Sequence, residues 1–386
     1  MLQNIKKYFT APVVYVVLVL LCFYPYVFNT VLHLGSETVL LLFFFAISVF
    51  CVLKGRGGLP PLLTYCLVIQ ILVWILYAVL HGDTSYITRV FFILMSSLLL
   101  IFLIRRRELI RFTYAYNQFI AIQALLGVPV FFLVALGQLR PIAEFQNIDG
   151  RPFYFYGVTF SNAITAGISR ICGFFDEPGA LAFWGIFALV FNKLTSDNKK
   201  IEVSLIISLL FTLSAAYFVQ LVLYLLFFYS TKAKSFIPIL FVLGAIAFAT
   251  FSFIGDNEQL MYLTVERFAG GTIRSGRTEM TAEAKQIFQE SPIIGIGAKN
   301  LNERGYFDDN PYEIPAKDGI IGVLITYLPL LIVLFKYGLR DKKVLFAVLI
   351  LMAGYLQRPF HVNLLHSMML YLFVLLIHYK IKGYEV

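Results

Sequence analysis

The chain has 386 residues, of which 60% are hydrophobic and 14% are charged, and its formal net charge is +9. This composition excludes an ordinary soluble domain and indicates a polytopic membrane protein, because a bilayer requires about 20 apolar residues for each spanning helix. Most of the positive charge lies beside apolar runs, which indicates contact with anionic lipid or phosphate and not with nucleic acid.

Apolar runs predict about twelve transmembrane helices. The first run is too long for a signal-peptide core and has no small-residue cleavage site, so we expect it to be retained. A later run of thirty residues has basic residues on both flanks, which predicts two short helices with a turn near residues 214–216. The predicted spans are 12–32, 36–53, 61–80, 87–104, 112–137, 179–195, 201–214, 216–230, 235–254, 319–335, 344–357 and 364–379.

Basic clusters alternate between the spans and fall on one predicted face. The positive-inside rule makes that face cytoplasmic, so both termini are expected in the cytoplasm. Arginine outnumbers lysine on the other face, where planar bidentate recognition of phosphate or carboxylate is favoured. The clusters include Lys6, Lys7, Lys54, Arg56, Arg105, Arg106, Arg107, Arg111, Lys193, Lys199, Lys200, Lys232, Lys234, Lys336, Arg340, Lys342, Lys343, Lys380 and Lys382.

Two long segments, 138–178 and 255–318, fall on the external face. Neither has enough apolar periodicity for a separate domain, so we expect residues 1–386 to form a single integral membrane domain. The two loops are expected to cap it as amphipathic helices and connecting segments. No charge is predicted deep in a span, which argues against an ion-coupled transporter.

The second loop carries Arg274 and Arg277 on either side of Ser275-Gly276, just before a helical pattern that ends at Ser291-Pro292. Ser275 is a candidate N-cap, which places Arg277 in the first turn beside free backbone N–H groups. Two guanidinium groups there predict a phosphate or pyrophosphate site. The alternative is a solvated helix with ordinary surface ion pairs.

The first loop ends in RICGFFDEP, residues 170–178. Pro178 suits the first position of a helix, so Asp176 or Glu177 is expected to cap the sixth span. Glu177 is alternatively a base that accepts a proton from a sugar hydroxyl. Arg170 opens this motif.

Polar residues near other span ends are weaker candidates. Asp309 belongs to a pair with Asp308 before the capping pattern Asn310-x-x-Glu313, and the pair is a weak metal signal. His361 follows Arg358 in a short turn, where a histidine is more often a satisfied hydrogen-bonding residue than a catalyst. Arg89 begins the fourth span and is either a snorkelling anchor or a further phosphate ligand.

The ordered set of motifs resembles the O-antigen polymerases of the Wzy type and their relatives, the O-antigen ligases. The resemblance covers about residues 165–325 and rests on RICGFFDEP, then SGRTEMTAEAKQIFQESPIIGIG, then DNPYEI and DGIIGVL. Ligases carry His before the Asn where this chain has Asp309, and this difference favours the polymerase.

The resemblance implies an all-α, GT-C-like fold in the bacterial inner membrane, with the active site on the periplasmic side. It implies a metal-independent, inverting transferase that needs no cofactor and acts on undecaprenyl-pyrophosphate-linked oligosaccharides for O-antigen or capsule. Glu177, Asp309 or His361 is expected to activate the acceptor hydroxyl. A chain-length regulator of the Wzz type is the expected protein partner. Pyrophosphate or substrate binding is expected from Arg170, Arg274, Arg277, Arg358 and Arg89.

Three alternatives remain. A ligase uses the same donor but a lipid A–core acceptor. A lipid-linked oligosaccharide flippase is expected to have short loops and cationic residues within its spans, which this chain lacks. A metal-dependent polyprenyl-phosphate glycosyltransferase would place a divalent ion on Asp176-Glu177 or Asp308-Asp309.

Overall fold

The computed structural model describes residues 58–146, 152–161, 164–165, 168–229, 244, 275–304, 310–359 and 364–382. We number the elements of these residues in chain order. The helices are α1 Pro61–His81, α2 Ser85–Arg105, α3 Leu109–Ala135, α4 Pro178–Leu194, α5 Lys199–Ser208, α6 Ala215–Tyr229, α7 Ser275–Glu290, α8 Ala298–Glu303, α9 Glu313–Thr326, α10 Leu328–Val333, α11 Lys342–Gln357 and α12 Leu364–Lys382.

Most of the described helices coincide with predicted spans. Four stretches of the described chain are long and apolar enough to cross a membrane, namely α1, α2, α3 and the run Glu313–Gly338, in which α9, α10 and a π-helical turn follow one another. Helices α4, α6 and α12 are apolar but shorter. The predicted count of about twelve is therefore not confirmed. The predicted spans 12–32 and 36–53 lie outside the described residues, as does 235–254 apart from residue 244.

Helix α4 lies at the centre of the bundle. Its residues are apolar on every side, and fifteen of them are buried. A helix that is hydrophobic all round has to be covered by neighbours, and α4 packs against α3, α5, α6, α11 and α12. The start of α4, which carries Glu177, is therefore fixed by a central and fully packed element.

The predicted pair of short helices between 201 and 230 is present. Helix α5 continues into a 3₁₀ turn, Leu209–Thr212, and Leu213 then adopts a left-handed conformation with φ 47° before α6 begins. The hydroxyl of Tyr217 donates to the carbonyls of Leu205 and Ile206 and ties the two arms together. The turn therefore lies where the basic flanks predicted it.

The first external loop was predicted to contain amphipathic helices, and its described part instead forms strands. The strands are β1 Ala143–Gln146, β2 Pro152–Phe155, β3 Phe160–Ser161, β4 Ile164–Thr165 and β5 Ile168–Ser169, and β1, β2 and β3 form one antiparallel sheet. Phe153 and Phe160 stack at 4.8 Å and form a small core with Cys172. Aromatic residues such as Phe153 and Phe160 favour a pleated, half-buried surface, which explains why this segment forms strands and not helices.

Three charged side chains are buried at helix ends, although the sequence placed no charge deep in a span. Arg89, Glu202 and Asp318 are at most 7% exposed. Glu202 accepts hydrogen bonds from Lys193 and Lys199, and also from Tyr224 and Tyr229. Arg89 and Asp318 pair with each other at the opposite ends of their helices from the basic clusters. Pairing makes this burial tolerable, because an unpaired charge in a low dielectric is very costly.

Candidate active site

A glycine-rich segment, residues 292–297, lies directly against the start of the long apolar run. Ile296 and Gly297 donate backbone hydrogen bonds to the carbonyls of Ala316 and Lys317, and Ile320 and Ile321 donate back to Pro292 and Ile293. A Cβ on Gly295 would lie 2.2 Å from the Lys317 carbonyl oxygen, and one on Gly319 would lie 2.3 Å from that of Ile293. Glycine is therefore required here by the close approach of two backbones.

Gly319 also breaks the helix. Its φ of 66° and ψ of −171° separate the arm Glu313–Asp318 from the apolar run that follows. Only glycine adopts this conformation without strain. The motifs PIIGIG and DGIIG, which carried part of the family resemblance, thus form one interlocked joint, the glycine joint, between the second long loop and the bundle.

Asp318 anchors this joint to α1 and α2. Its carboxylate pairs with both terminal nitrogens of Arg89, at 2.7 and 3.3 Å, and accepts a hydrogen bond from the Tyr86 hydroxyl at 2.8 Å. The Tyr77 hydroxyl donates to the Asp318 carbonyl. The Arg89 guanidinium lies 4.4 Å from the Trp74 ring centre, within cation–π range. Arg89, predicted as an anchor or a phosphate ligand, is therefore engaged with an internal carboxylate.

The turn between α1 and α2 makes a second connection to the loop. Asp83 accepts hydrogen bonds from the backbone N–H groups of Ser85 and Lys299, at 2.8 and 2.9 Å. Burial alone would raise the pKa of the Asp83 carboxyl, but these N–H groups, together with the Ser85 side chain and the charge of Arg89, hold that pKa below its usual range. The Asp83 carboxylate, which accepts from the backbone N–H of Lys299 in the second loop, is thus kept ionised at neutral pH.

The predicted amphipathic helix of the second loop is α7. It begins at Ser275, so Arg277 lies in its first turn as expected, while Arg274 lies outside the described residues. Ala284 and Ile287 are buried and pack with Leu301 of α8 and Ala316 of α9. The apolar face of α7 therefore packs the helix onto the glycine joint. The first turn, which carries Arg277, is at the opposite end of α7 from Glu290.

Arg170 of the first loop contacts the turn between α5 and α6. Its Nε donates to the carbonyl of Thr212 at 2.9 Å, and a terminal nitrogen donates to that of Leu213 at 3.3 Å. These carbonyls belong to the end of the 3₁₀ turn, where backbone acceptors need partners. Arg170 therefore fastens the RICGFFDEP motif to the helical hairpin of α5 and α6.

Glu177 occupies the N-cap position of α4, with Pro178 at the first helical position as predicted. Its backbone is extended, and its side chain makes no capping hydrogen bond. Instead its carboxylate lies 3.3 Å from a terminal nitrogen of Arg358, at the end of α11. The side chains of the pair are 28% and 16% exposed. Glu177 and Arg358, which are more than 180 positions apart in the sequence, are thus brought together where α4 begins and α11 ends.

Other candidates are placed only in part. Asn310 does not cap α9, because the N-cap position is Tyr312, and its side chain instead accepts from the Tyr312 N–H in the preceding turn. Asp309 and His361 lie outside the described residues. His366 is buried against the rings of Phe183 and Trp184.

The described residues bring the candidates together in two groups. Glu177 and Arg358 form one, and Arg89 forms the other with Asp318, a partner that the sequence analysis missed. The signal available for Asp318 was its position just before a glycine at the start of an apolar run. Within the described part of the chain, no three His, Cys, Asp or Glu side chains gather in a way that could hold a metal ion.

Comparison with known proteins gives one match. Residues 203–320 match the family model Wzy_C, which is described as O-antigen ligase. No curated protein and no solved structure matches the chain. The matched range contains α7 and the PIIGIG segment and reaches the start of DGIIGVL, whereas the RICGFFDEP motif, residues 170–178, lies outside it. Over residues 203–320 the chain is therefore similar to the Wzy_C family model, which is consistent with a member of the O-antigen polymerase–ligase superfamily.

Proposed function

We propose that this protein polymerises undecaprenyl-pyrophosphate-linked oligosaccharide repeat units, transferring the growing glycan to the non-reducing end of an incoming lipid-linked repeat. The Wzy_C match supports an enzyme of the glycosyltransferase kind that acts as an O-antigen polymerase or ligase. Ligases carry a His at the position where this chain has Asp309, and this difference favours the polymerase. The proposed reaction is inverting and uses no metal.

The observation that carries the proposal is the ion pair between Glu177 and Arg358. It joins a carboxylate and a guanidinium at the end of the bundle, where the first loop enters α4. The pair is partly exposed, so solvent screening keeps its contribution to about 1 kcal/mol, and either member can exchange it for a better partner. A diphosphate offers Arg358 more charge than one carboxylate does.

The proposed sequence of events follows from that exchange. The donor diphosphate binds Arg358, with Arg274 and Arg277 as further ligands, and releases the Glu177 carboxylate. The acceptor hydroxyl attacks the anomeric carbon while Glu177 takes its proton, and the bond between that carbon and the diphosphate oxygen breaks. The lipid diphosphate leaves with the bonding electrons, and the arginines stabilise its negative charge, which is usually the largest contribution to such catalysis. Asp309 and His361 are the alternative bases.

The test is extension of a purified lipid-linked repeat unit by Glu177→Gln at matched protein levels. Gln keeps the shape and the hydrogen bond to Arg358 but cannot accept a proton, so we expect the rate to fall about 10²–10⁴-fold. Glu313→Gln is the matched control, because Glu313 pairs with Lys317 at 2.9 Å and is also half-buried. Full activity of Glu177→Gln would remove Glu177 from catalysis and pass the role to Asp309 or His361.

The product and the cofactor requirement separate the alternatives. A ladder of repeats that remains on the carrier lipid indicates a polymerase, and glycan on lipid A–core indicates a ligase. Movement of lipid-linked glycan across vesicles without new glycosidic bonds indicates a flippase. Activity that is lost with a chelator and restored by a divalent ion indicates a metal-dependent enzyme, contrary to the proposal.

We place the site on the periplasmic face, both termini in the cytoplasm, and a chain-length regulator of the Wzz type beside the enzyme. The basic clusters support this orientation. Cysteines at Asn363 and Gly270 are expected to react with a membrane-impermeant thiol reagent in intact cells, and cysteines at Asn198 and Gly338 are not. Labelling of Asn198→Cys from outside would contradict the proposed orientation of the α5–α6 hairpin.

A further inference from the structure

A small cavity with several polar side chains in its wall lies beside the ion pair of Arg89 and Asp318, between α1, α2, α9 and α12. Its volume is about 20 Å³, and both members of the pair line it. Trp74 and Gln70 of α1, Thr326 of α9, and Ser367 and Tyr371 of α12 complete the part of the wall that matters here. About 10–15 Å³ is enough for one water molecule when two to four polar partners surround it.

One hydrogen-bond donor of the Arg89 guanidinium, Nε, has no acceptor among the described residues. Its two terminal nitrogens both bind Asp318, whereas Nε is buried and has no hydrogen-bond partner among the described residues. Arg89 as a whole is 7% exposed. A buried donor without an acceptor costs about 1–3 kcal/mol, so an acceptor in the cavity would be strongly favoured.

Formal charge decides which kind of acceptor fits. The charge of Arg89 is balanced by Asp318 at 2.7 Å, and Lys317, which also lines the cavity, is balanced by Glu313 at 2.9 Å. The wall is therefore neutral overall, and an anion would be bound there without a net opposing charge. The hydroxyls of Thr326 and Ser367 offer both donors and acceptors, which suits a neutral ligand with the same capacity.

We propose that this cavity is a hydration site, in which one ordered water accepts a hydrogen bond from Arg89 Nε and bonds to the hydroxyls of Thr326 and Ser367. The water connects α2, α9 and α12 at the level of the Gly319 break. It completes the hydrogen bonding of the buried ion pair and makes that pair a fixed part of the framework. The site is independent of the reaction proposed above, and its test requires no activity.

The test is hydroxyl-radical labelling by X-ray radiolysis of the intact protein in detergent, read by mass spectrometry. Water bound in the interior generates radicals beside the side chains that it touches, so Trp74 and Tyr371 should be oxidised although they are only 3% and 1% exposed. Trp184 and Tyr116 are the matched controls, because they are 1% and 0% exposed and do not line this cavity. Labelling of Trp74 and Tyr371 no faster than that of the controls would overturn the proposal.

Two variants separate bound water from transient opening of the fold. Ser367→Ala combined with Thr326→Val removes the two hydroxyl partners of the water and leaves it only the donor of Arg89, so labelling of Trp74 should fall toward that of Trp184. Ser367→Val fills the space and should have the same effect. Unchanged labelling in both folded variants would contradict an ordered water. Suppression by added chloride of the labelling of Trp74 and Tyr371, with the labelling of exposed aromatic residues unchanged, would show an anion site instead, which also overturns the proposal.

Discussion

The ion pair between Arg89 and Asp318 leads to the sharpest prediction. Removing one member of a buried pair costs about 3–5 kcal/mol, because the other charge is left without compensation. Asp318→Asn should fall in this range. Its amide can still accept from Tyr86, but the Arg89 charge then has no partner, and an arginine cannot lose its proton.

Arg89→Met removes the other member of the pair. The Asp318 carboxylate then stays buried and keeps the hydrogen bond from the Tyr86 hydroxyl, but it has lost its cation. We therefore expect this variant also to lose about 3–5 kcal/mol of stability.

The double variant completes the test. Arg89→Met combined with Asp318→Asn leaves no unpaired charge and should be more stable than Asp318→Asn alone by about 1–3 kcal/mol. The measurement is the free energy of unfolding in mixed micelles of a mild detergent and dodecyl sulfate. If the penalties of the two single variants simply add in the double variant, these side chains do not act as one buried pair.

Three further predictions concern the joint and the loops. Gly319→Ala should lower the midpoint of thermal unfolding clearly while Gly58→Ala does not, because a Cβ on Gly319 meets the Ile293 carbonyl at 2.3 Å and one on Gly58 meets nothing within 4 Å; equal midpoints would contradict the close approach of the backbones. The low pKa of Asp83 means that its bond to the Lys299 N–H stabilises the fold above the usual aspartate range and is lost only as the pH falls through that lower value. Asp83→Asn should therefore speed exchange of the Lys299 amide at neutral pH by about fivefold, and unchanged exchange would show that the charge contributes nothing. Arg170→Lys should abolish polymer and also speed exchange of the amides after the 3₁₀ turn, since Arg170 donates to the carbonyls there; loss of polymer with unchanged exchange would assign the side chain to catalysis alone.

Sequence patterns predicted the helices better than the contacts between them. Apolar runs and basic flanks predicted α1, α2, α3 and the α5–α6 turn, because a bilayer leaves few alternatives to a helix. The β-strands of the first loop were missed, because strands of two to four residues have too few positions to show alternation.

The candidate site illustrates the same limit. The sequence identified Glu177 and Arg358 separately, and their pairing depends on how α4 and α11 pack, which no local pattern records. The Glu177 side chain was predicted to be either a cap or a base; it does not cap α4, and the guanidinium of Arg358 engages it. Arg89 was predicted to be a snorkelling anchor or a phosphate ligand, whereas it pairs with Asp318, which lies 229 positions away.

The joint at Gly295 and Gly319 also bears on how such a protein can diversify. Its contacts run between main-chain N–H and carbonyl groups, so they do not depend on which side chains surround them. Residues on the outward side of the arm before Gly319 can therefore be exchanged without moving the backbone that presents them. Substitutions at exposed positions next to this arm, such as Pro311, are therefore compatible with the joint, while its two glycines stay fixed.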